Sequence, residues 1–239
     1  KTENGTTTNG MTVTREVKVI GVPTLMTRES AEYINGKGIV YYAIGARRSG
    51  NTKYTSDLIS TITFVNNTNI PTTAEASWDA SYTNGDGEVI AWVIPNTTDS
   101  TKYDLIIGAN DTTIQAPMDS IRLFSDYTNC TSISNLSMLD TANVTYMNNM
   151  FDSCNKLISL DVSNFNTTKA TNMMDMFFGC NNLSSLKLDN FNTSNVTTMY
   201  RMFYDCRALK SLDLVNFDTS NVTDMMSMFS GCSNLTSLD

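Results

Sequence analysis

The stretch that decides the fold is LSSLKLDNFNTSNVTTMYRMFYDCRAL, Leu183 to Leu209, because its apolar residues recur through the second half of the chain at a spacing of 26 residues. Leu160, Leu186, Leu212 and Leu238 keep that spacing, and so do Phe165, Phe191 and Phe217. Met147, Met173, Met199 and Met225 keep it, as do Phe151, Phe177, Phe203 and Phe229, and Cys154, Cys180, Cys206 and Cys232. A fixed period in this range marks units that stack and bury a common core.

Within the unit, Leu186 and Leu188 alternate with Ser185, Lys187 and Asp189, which is a short strand with its apolar side inward. Asn192-Thr-Ser-Asn195 is turn chemistry. Met199, Met202, Phe203 and Cys206 follow at i, i+3, i+4 and i+7, the spacing of one helix face. Thr197 then reads as the helix N-cap, with Thr145, Thr171 and Thr223 in the same place in the other units. The expected fold class is therefore α/β: a leucine-rich-repeat solenoid of strand-turn-helix units with a parallel sheet on one face. The expected divisions are a β-rich N-terminal region at 1–58, a capping segment at 59–132 and a repeat array at 133–239. The first unit is degenerate, with Ser134 where Leu160 stands in the next and Leu139 where Phe165 stands, as a terminal unit requires.

Before the repeats, runs at 12–22, 39–44, 59–65, 89–94 and 103–107 are strand-like. Residues 27–35 before Gly36 suit one short helix, and 71–78 suit the start of another. Asn84-Gly-Asp-Gly87 reads as a hairpin turn. It is not a calcium loop, because Tyr82 and Val93 occupy the first and twelfth ligand positions.

Composition narrows function. Lys plus Arg is 16 against 24 for Asp plus Glu, a net charge of −8 that argues against a grip on nucleic-acid phosphates. Histidine is absent, which removes the commonest general base and metal ligand. Asp79, Asp86 and Glu88 lie close in sequence without a nucleophile or phosphate loop. No cofactor and no enzymatic activity are expected. No apolar run is long enough to span a bilayer. The ladder cysteines read as free, buried core residues, on the expectation that packed helices hold them too far apart to bridge. Cys130 lies outside that ladder. The Asn-x-Ser/Thr triplets follow from turn chemistry and carry no glycan meaning. Lys1 reads as a processing boundary and Asp239 stops inside a repeat, as in a fragment of a longer protein.

The motif Leu-Asp-Leu-x-Asn-Phe-Asp-Thr-Ser-Asn-Val-Thr-Asp-Met-x-x-Met-Phe-x-Gly-Cys-x-x-Leu, which runs from Leu212 to Leu235, resembles the BspA-like leucine-rich repeat surface proteins of bacteria. A looser resemblance to the segment that precedes such repeats covers 59–130. The resemblance implies an exported protein of the bacterial cell surface that adheres to host extracellular-matrix proteins, cell-surface proteins, glycans or other cells, with no catalytic residues to carry over. A structural subunit of a surface fibre or pilus is the alternative.

Two surfaces are candidates for binding. Ser159, Asp161, Ser163, Ser185, Lys187, Asp189, Ser211, Asp213, Ser237 and Asp239 point outward from the expected strands; they also suit a plain solvated face, with Lys187 relieving repulsion between Asp161 and Asp213. On the expected helix side, Met174, Phe178, Tyr200 and Tyr204 flank the core stripe, either as inter-repeat packing or as an association strip.

Overall fold

A computed structural model describes residues 54–80, 89–111 and 113–238. The readings placed on 12–22, 27–35, 39–44 and 84–87, the groups Asp86, Glu88 and Asp239, and the Asp79 side chain lie outside the described residues.

The α/β expectation is overturned. Among the described residues the ordered elements are eleven strands and two three-residue 3-10 turns, with no α-helix. The reason is visible in the backbone of the Met-Phe-Cys segment. Met147, Asn149, Phe151 and Ser153 donate their N–H groups to the carbonyls of Asn172, Met174, Met176 and Phe178 in the next coil. The alternating N–H groups of Met150, Asp152 and Cys154 close turns onto Met147, Asn149 and Phe151 three residues back. An α-helix would send all of them four residues back within its own coil. Asn149 and Ser153 moreover have φ of 58° and 61°, as do Asp175 and Gly179 (55° and 68°) and Arg201 and Asp205 (49° and 58°). A left-handed residue every fourth position cannot be accommodated in a right-handed helix. It does bring i, i+3, i+4 and i+7 to one side, so a chain of turns closing every four residues copies the apolar spacing of a helix. Thr197 is no cap either: its hydroxyl donates to the Thr171 carbonyl of the coil before, at 3.1 Å.

The units are thus helix-free coils, hydrogen-bonded coil to coil. Bridges run Asp119–Tyr146–Asn172–Thr198–Asp224, all parallel. Strands β8 (Ser159–Asp161) and β9 (Ser185–Lys187) pair in parallel, as do β10 (Ser211–Leu212) and β11 (Ser237–Leu238). Inside, Phe124, Phe151, Phe177, Phe203 and Phe229 form a column of stacked rings with centroids 5.1 to 5.6 Å apart. Met147, Met150, Met173, Met176, Met199 and Met202 have no exposed surface.

The stack begins one coil before residue 133. Ser120, Arg122, Phe124 and Asp126 donate to Tyr146, Asn148, Met150 and Asp152, and Arg122 and Asp126 share the positive φ of the later coils. This coil is offset by 27 residues rather than 26, which hides it from a search at fixed period. Cys130 there takes the place of Leu157, closing a turn onto Tyr127 as Leu157 does onto Cys154.

A five-stranded sheet covers this end. Its order is β2 (Ala76–Asp79), β3 (Val89–Pro95), β4 (Tyr103–Ala109), β1 (Ile59–Val65) and β6 (Ser132–Ser134). The strand-like runs at 59–65, 89–94 and 103–107 are therefore strands, whereas the helix start expected at 71–78 gives way to β2, paired antiparallel with β3. Because β6 pairs in parallel with β1, the sheet continues directly into the first coil's strand. Gly108 is required here: a Cβ would lie 2.1 Å from the Asn67 carbonyl and 2.8 Å from the Trp92 ring. Two short strands, β5 (Ile114–Gln115) and β7 (Leu139–Asp140), pair alongside.

The five cysteines are free. The distance argument for this fails without helices, since hydrogen-bonded rungs lie about 5 Å apart, within reach of a disulfide. Each ladder thiol instead donates to a phenylalanine carbonyl of the preceding coil: Cys154 to Phe124, Cys180 to Phe151, Cys206 to Phe177 and Cys232 to Phe203, at 3.0 to 3.2 Å. Burial raises all four thiols, those of Cys154 and Cys180 well above their ordinary range, and Cys130 is pushed up to about 12. They are core groups held as protonated donors.

Candidate functional site

The strand face and the turn face of the coils differ in what they show to solvent. On the strand face, Ser159, Asp161, Ser185, Lys187, Asp189, Ser211, Asp213 and Ser237 are exposed and Ser163 is half-buried. Lys187 Nζ donates to Asp161 Oδ2 at 2.9 Å, with both side chains more than half exposed. The Ser163 hydroxyl, and then Lys187, hold the Asp161 carboxyl down at about 2. Asp213 accepts the Val215 N–H. The Asp161 and Asp213 carboxylates are thus occupied by their own loops and, for Asp161, by the adjacent coil. A shallow groove of about 400 Å³ at the following corner is lined by Asp189, Asn190, Asn192, Asn216 and Asp218, among others. The amides of Asn190 and Asn216 are already spent on the Ser163 and Asp189 carbonyls of the coil before.

The turn face gathers the residues expected to flank the core. Met174, Phe178, Tyr200 and Tyr204 are all partly exposed, and the Phe178 and Tyr204 rings stack with centroids 5.0 Å apart. Arg201 joins them without having been singled out in the sequence. Its guanidinium lies 4.5 Å from the Tyr200 ring centroid and 5.0 Å from that of Phe178, the geometry of a cation–π contact.

Asp175 anchors that guanidinium from below. Nη2 of Arg201 donates to Oδ2 at 3.0 Å, while Nε lies 3.0 Å from Oδ1 without the alignment of a hydrogen bond, so one good bond and the charge hold the pair. The Asp175 side chain is 6% exposed, and burial raises its carboxyl above the ordinary range despite Arg201. The signal that could have found this pair is simple: acid and base stand 26 residues apart at equivalent positions, one residue after Met174 and Tyr200.

The Asn-x-Thr triplet at Asn195 uses its amide to donate to the Thr168 carbonyl of the coil before, at 2.8 Å, and Asn221 does the same to Ser194. Among the described residues no group of three or more acidic or cysteine side chains is placed to hold a metal ion, and no helix is long and apolar enough to cross a membrane.

No curated protein and no solved structure matches the chain. The model of one family, DUF285, described as "Mycoplasma protein of unknown function", does match, over residues 118–238. That span is just over half of the chain, and it starts where the stacked coils start rather than at the first unit visible in the sequence. The chain belongs to the DUF285 family.

Proposed function

We propose that the chain is a non-enzymatic interaction module of a bacterial cell-surface protein of the BspA-like kind, which adheres to host matrix or cell-surface components through the turn face of its coils. The observation that carries this reading is the partly exposed cluster of Met174, Phe178, Tyr200, Arg201 and Tyr204. Tyrosine and arginine are the residue types that dominate binding hot spots, and here Asp175 and the flanking rings hold the arginine in place before a partner arrives. The strand face lacks all of these types. Its serines, carboxylates and single ion pair suit a solvated surface, where such pairs contribute little. The resemblance of the repeat motif to BspA-like surface proteins supports the same reading.

The test is binding of the whole chain to a panel of immobilised host extracellular-matrix proteins. A Met174→Ser, Tyr200→Ser double variant is expected to bind at least about 30-fold more weakly, as loss of a hot spot requires. A Lys187→Ala, Asp189→Ala double variant is expected to bind unchanged. The reading is overturned if no panel member binds, or if the strand-face variant is the one that weakens.

A further inference from the structure

The hydrogen bonds between coils locate the residue by which the first coil departs from the others. The Ile158 N–H donates to the Thr131 carbonyl, 27 residues back, whereas the Ser184 N–H donates to Ile158, 26 back. Thr131 therefore stands level with Ile158, and Ile133 with Leu160. Further along, Val144 closes a turn onto Thr141 as Ala170 does onto Thr167, so Leu139 stands level with Phe165. Six steps lead from Ile133 to Leu139 but five from Leu160 to Phe165, so the extra residue lies in this segment.

The chain absorbs it at Asn135, whose φ is 60°, and in the 3-10 turn Leu136–Met138. The detour also shows in the amides of the next coils. Asn190 and Asn216 donate to Ser163 and Asp189, 27 residues back, but Asn164 donates to Leu136, 28 back. Between the detour and the second coil lies a cavity of about 270 Å³, lined by Ile133, Asn135, Leu136, Ser137, Asp161 and Asn164, among others. Both walls lie inside the stack, because β6 of the first coil pairs with β1 and β8 of the second coil pairs with β9.

The Asn135 amide nitrogen donates to the Phe64 carbonyl and that of Asn164 to the Leu136 carbonyl, both at 2.9 Å. Each carboxamide thus spends its nitrogen on backbone and keeps its Oδ1 to accept. Among the described residues no hydrogen bond reaches either Oδ1 or the Ser137 hydroxyl. Lys187 answers Asp161 at 2.9 Å. Leu136 is buried and Ile133 half-buried, and no aromatic ring lines the cavity.

We infer that this cavity is a binding site for one neutral saccharide residue. Sugar hydroxyls donate to the Asn135 and Asn164 amide oxygens, the Ser137 hydroxyl gives or receives a further bond, and the C–H surface of the ring meets Ile133 and Leu136. A cation finds Asp161 already answered by Lys187, and an anion finds acceptors where it needs donors. An apolar ligand would dry both amide oxygens and return no hydrogen bond, which is unfavourable. A few placed polar groups on an apolar wall are the usual composition of a small-ligand site, and the volume falls just below that of drug-sized sites, as one sugar ring requires. The site lies apart from Met174, Tyr200 and Arg201 and does not rest on the turn face being the interaction surface.

The experiment is saturation-transfer NMR and calorimetric titration of the whole chain with the methyl glycosides of glucose, galactose, mannose and N-acetylglucosamine. At least one is expected to bind. Ser137→Ala removes a hydroxyl that no other residue uses, so it should keep the melting temperature of the parent and weaken binding about three- to tenfold, the scale of one hydrogen bond. Asn135→Gly keeps the left-handed backbone, which glycine adopts freely, and should weaken binding further. Asn216→Ala, at a corner without the extra residue, should bind as the parent does. The proposal is overturned if none of the four glycosides binds, if Ser137→Ala binds as tightly as the parent, or if Asn216→Ala weakens binding as much as Asn135→Gly.

Discussion

The strand face and the turn face are built from the same coils, and they obey different rules. On the strand face the outward residues repeat with small polar variations, and Lys187 answers Asp161 of the coil before. On the turn face the backbone is the more regular of the two, with every second N–H sent to the next coil, yet the outward side chains change from rung to rung: Met174, Tyr200 and Met226 in one column, Asp152, Phe178, Tyr204 and Ser230 in the next. Backbone hydrogen bonds tie these coils together, and the outward side chains add contacts of their own, as the Asp175–Arg201 pair and the Phe178–Tyr204 stack do. The face with the stricter scaffold is thus the one whose outward side chains vary, and that is the surface proposed for interaction.

The contrast breaks most visibly if the core under the turn face is disturbed. Met202 has no exposed surface. Met202→Asp buries a carboxylate without a partner and should cost more than about 4 kcal/mol, enough to unfold the coils in a thermal melt. A near-native melting curve would show that the Met-Phe-Cys side does not face inward.

The thiol column gives a smaller effect. Cys180→Ala loses both volume and the donor to the Phe151 carbonyl and should cost about 2 kcal/mol in denaturant unfolding. Cys180→Ser keeps a donor and should cost less. In the native state these thiols should react slowly with a thiol reagent, because burial keeps them protonated. Equal costs for the two variants would remove the thiol–carbonyl bond from the description.

A sign rather than a size separates turns from helix at Gly179, whose φ is +68°. In a helix Gly179→Ala would stabilise by roughly 0.5–1 kcal/mol. In the observed left-handed conformation it should instead destabilise by about 1 kcal/mol, read from the same unfolding curves.

The smallest effect belongs to the strand face. Lys187→Ala should leave the melting temperature unchanged, since the Lys187–Asp161 pair is solvent-exposed. Asp161 is held down at about 2, so whatever stability it contributes is complete above the ordinary carboxylate range and fades only as pH falls through about 2. Stability should therefore be flat in this region across neutral pH. A drop in melting temperature for Lys187→Ala at pH 7 would mean that this face holds the coils together after all.

The sequence discloses the period, the inward residues and the short strands, because burial imposes those at fixed positions: Leu160, Phe165, Phe177 and Cys180 are all core. It misleads at the Met-Phe-Cys segment, where a four-residue turn cycle and a helix share the apolar spacing and the left-handed residues distinguish them: Asn149 and Ser153, Asp175 and Gly179, Arg201 and Asp205. Of these six only Gly179 is a glycine, the residue type that announces a positive φ. The coil at 118–130 is hidden by one inserted residue, which shifts every equivalence while leaving the hydrogen bonds intact. Of the turn-face cluster, Met174, Phe178, Tyr200 and Tyr204 were visible as a flanking stripe. Arg201 and Asp175 were not, because their partnership is made between coils and not along one.

The most direct test is a trans-hydrogen-bond NMR coupling from the Phe177 amide nitrogen. A coupling to the carbonyl carbon of Met202 in the next coil, matching the 2.9 Å bond, is predicted. A coupling to Met173 instead, four residues back in the same coil, would restore the helix and contradict the helix-free stack.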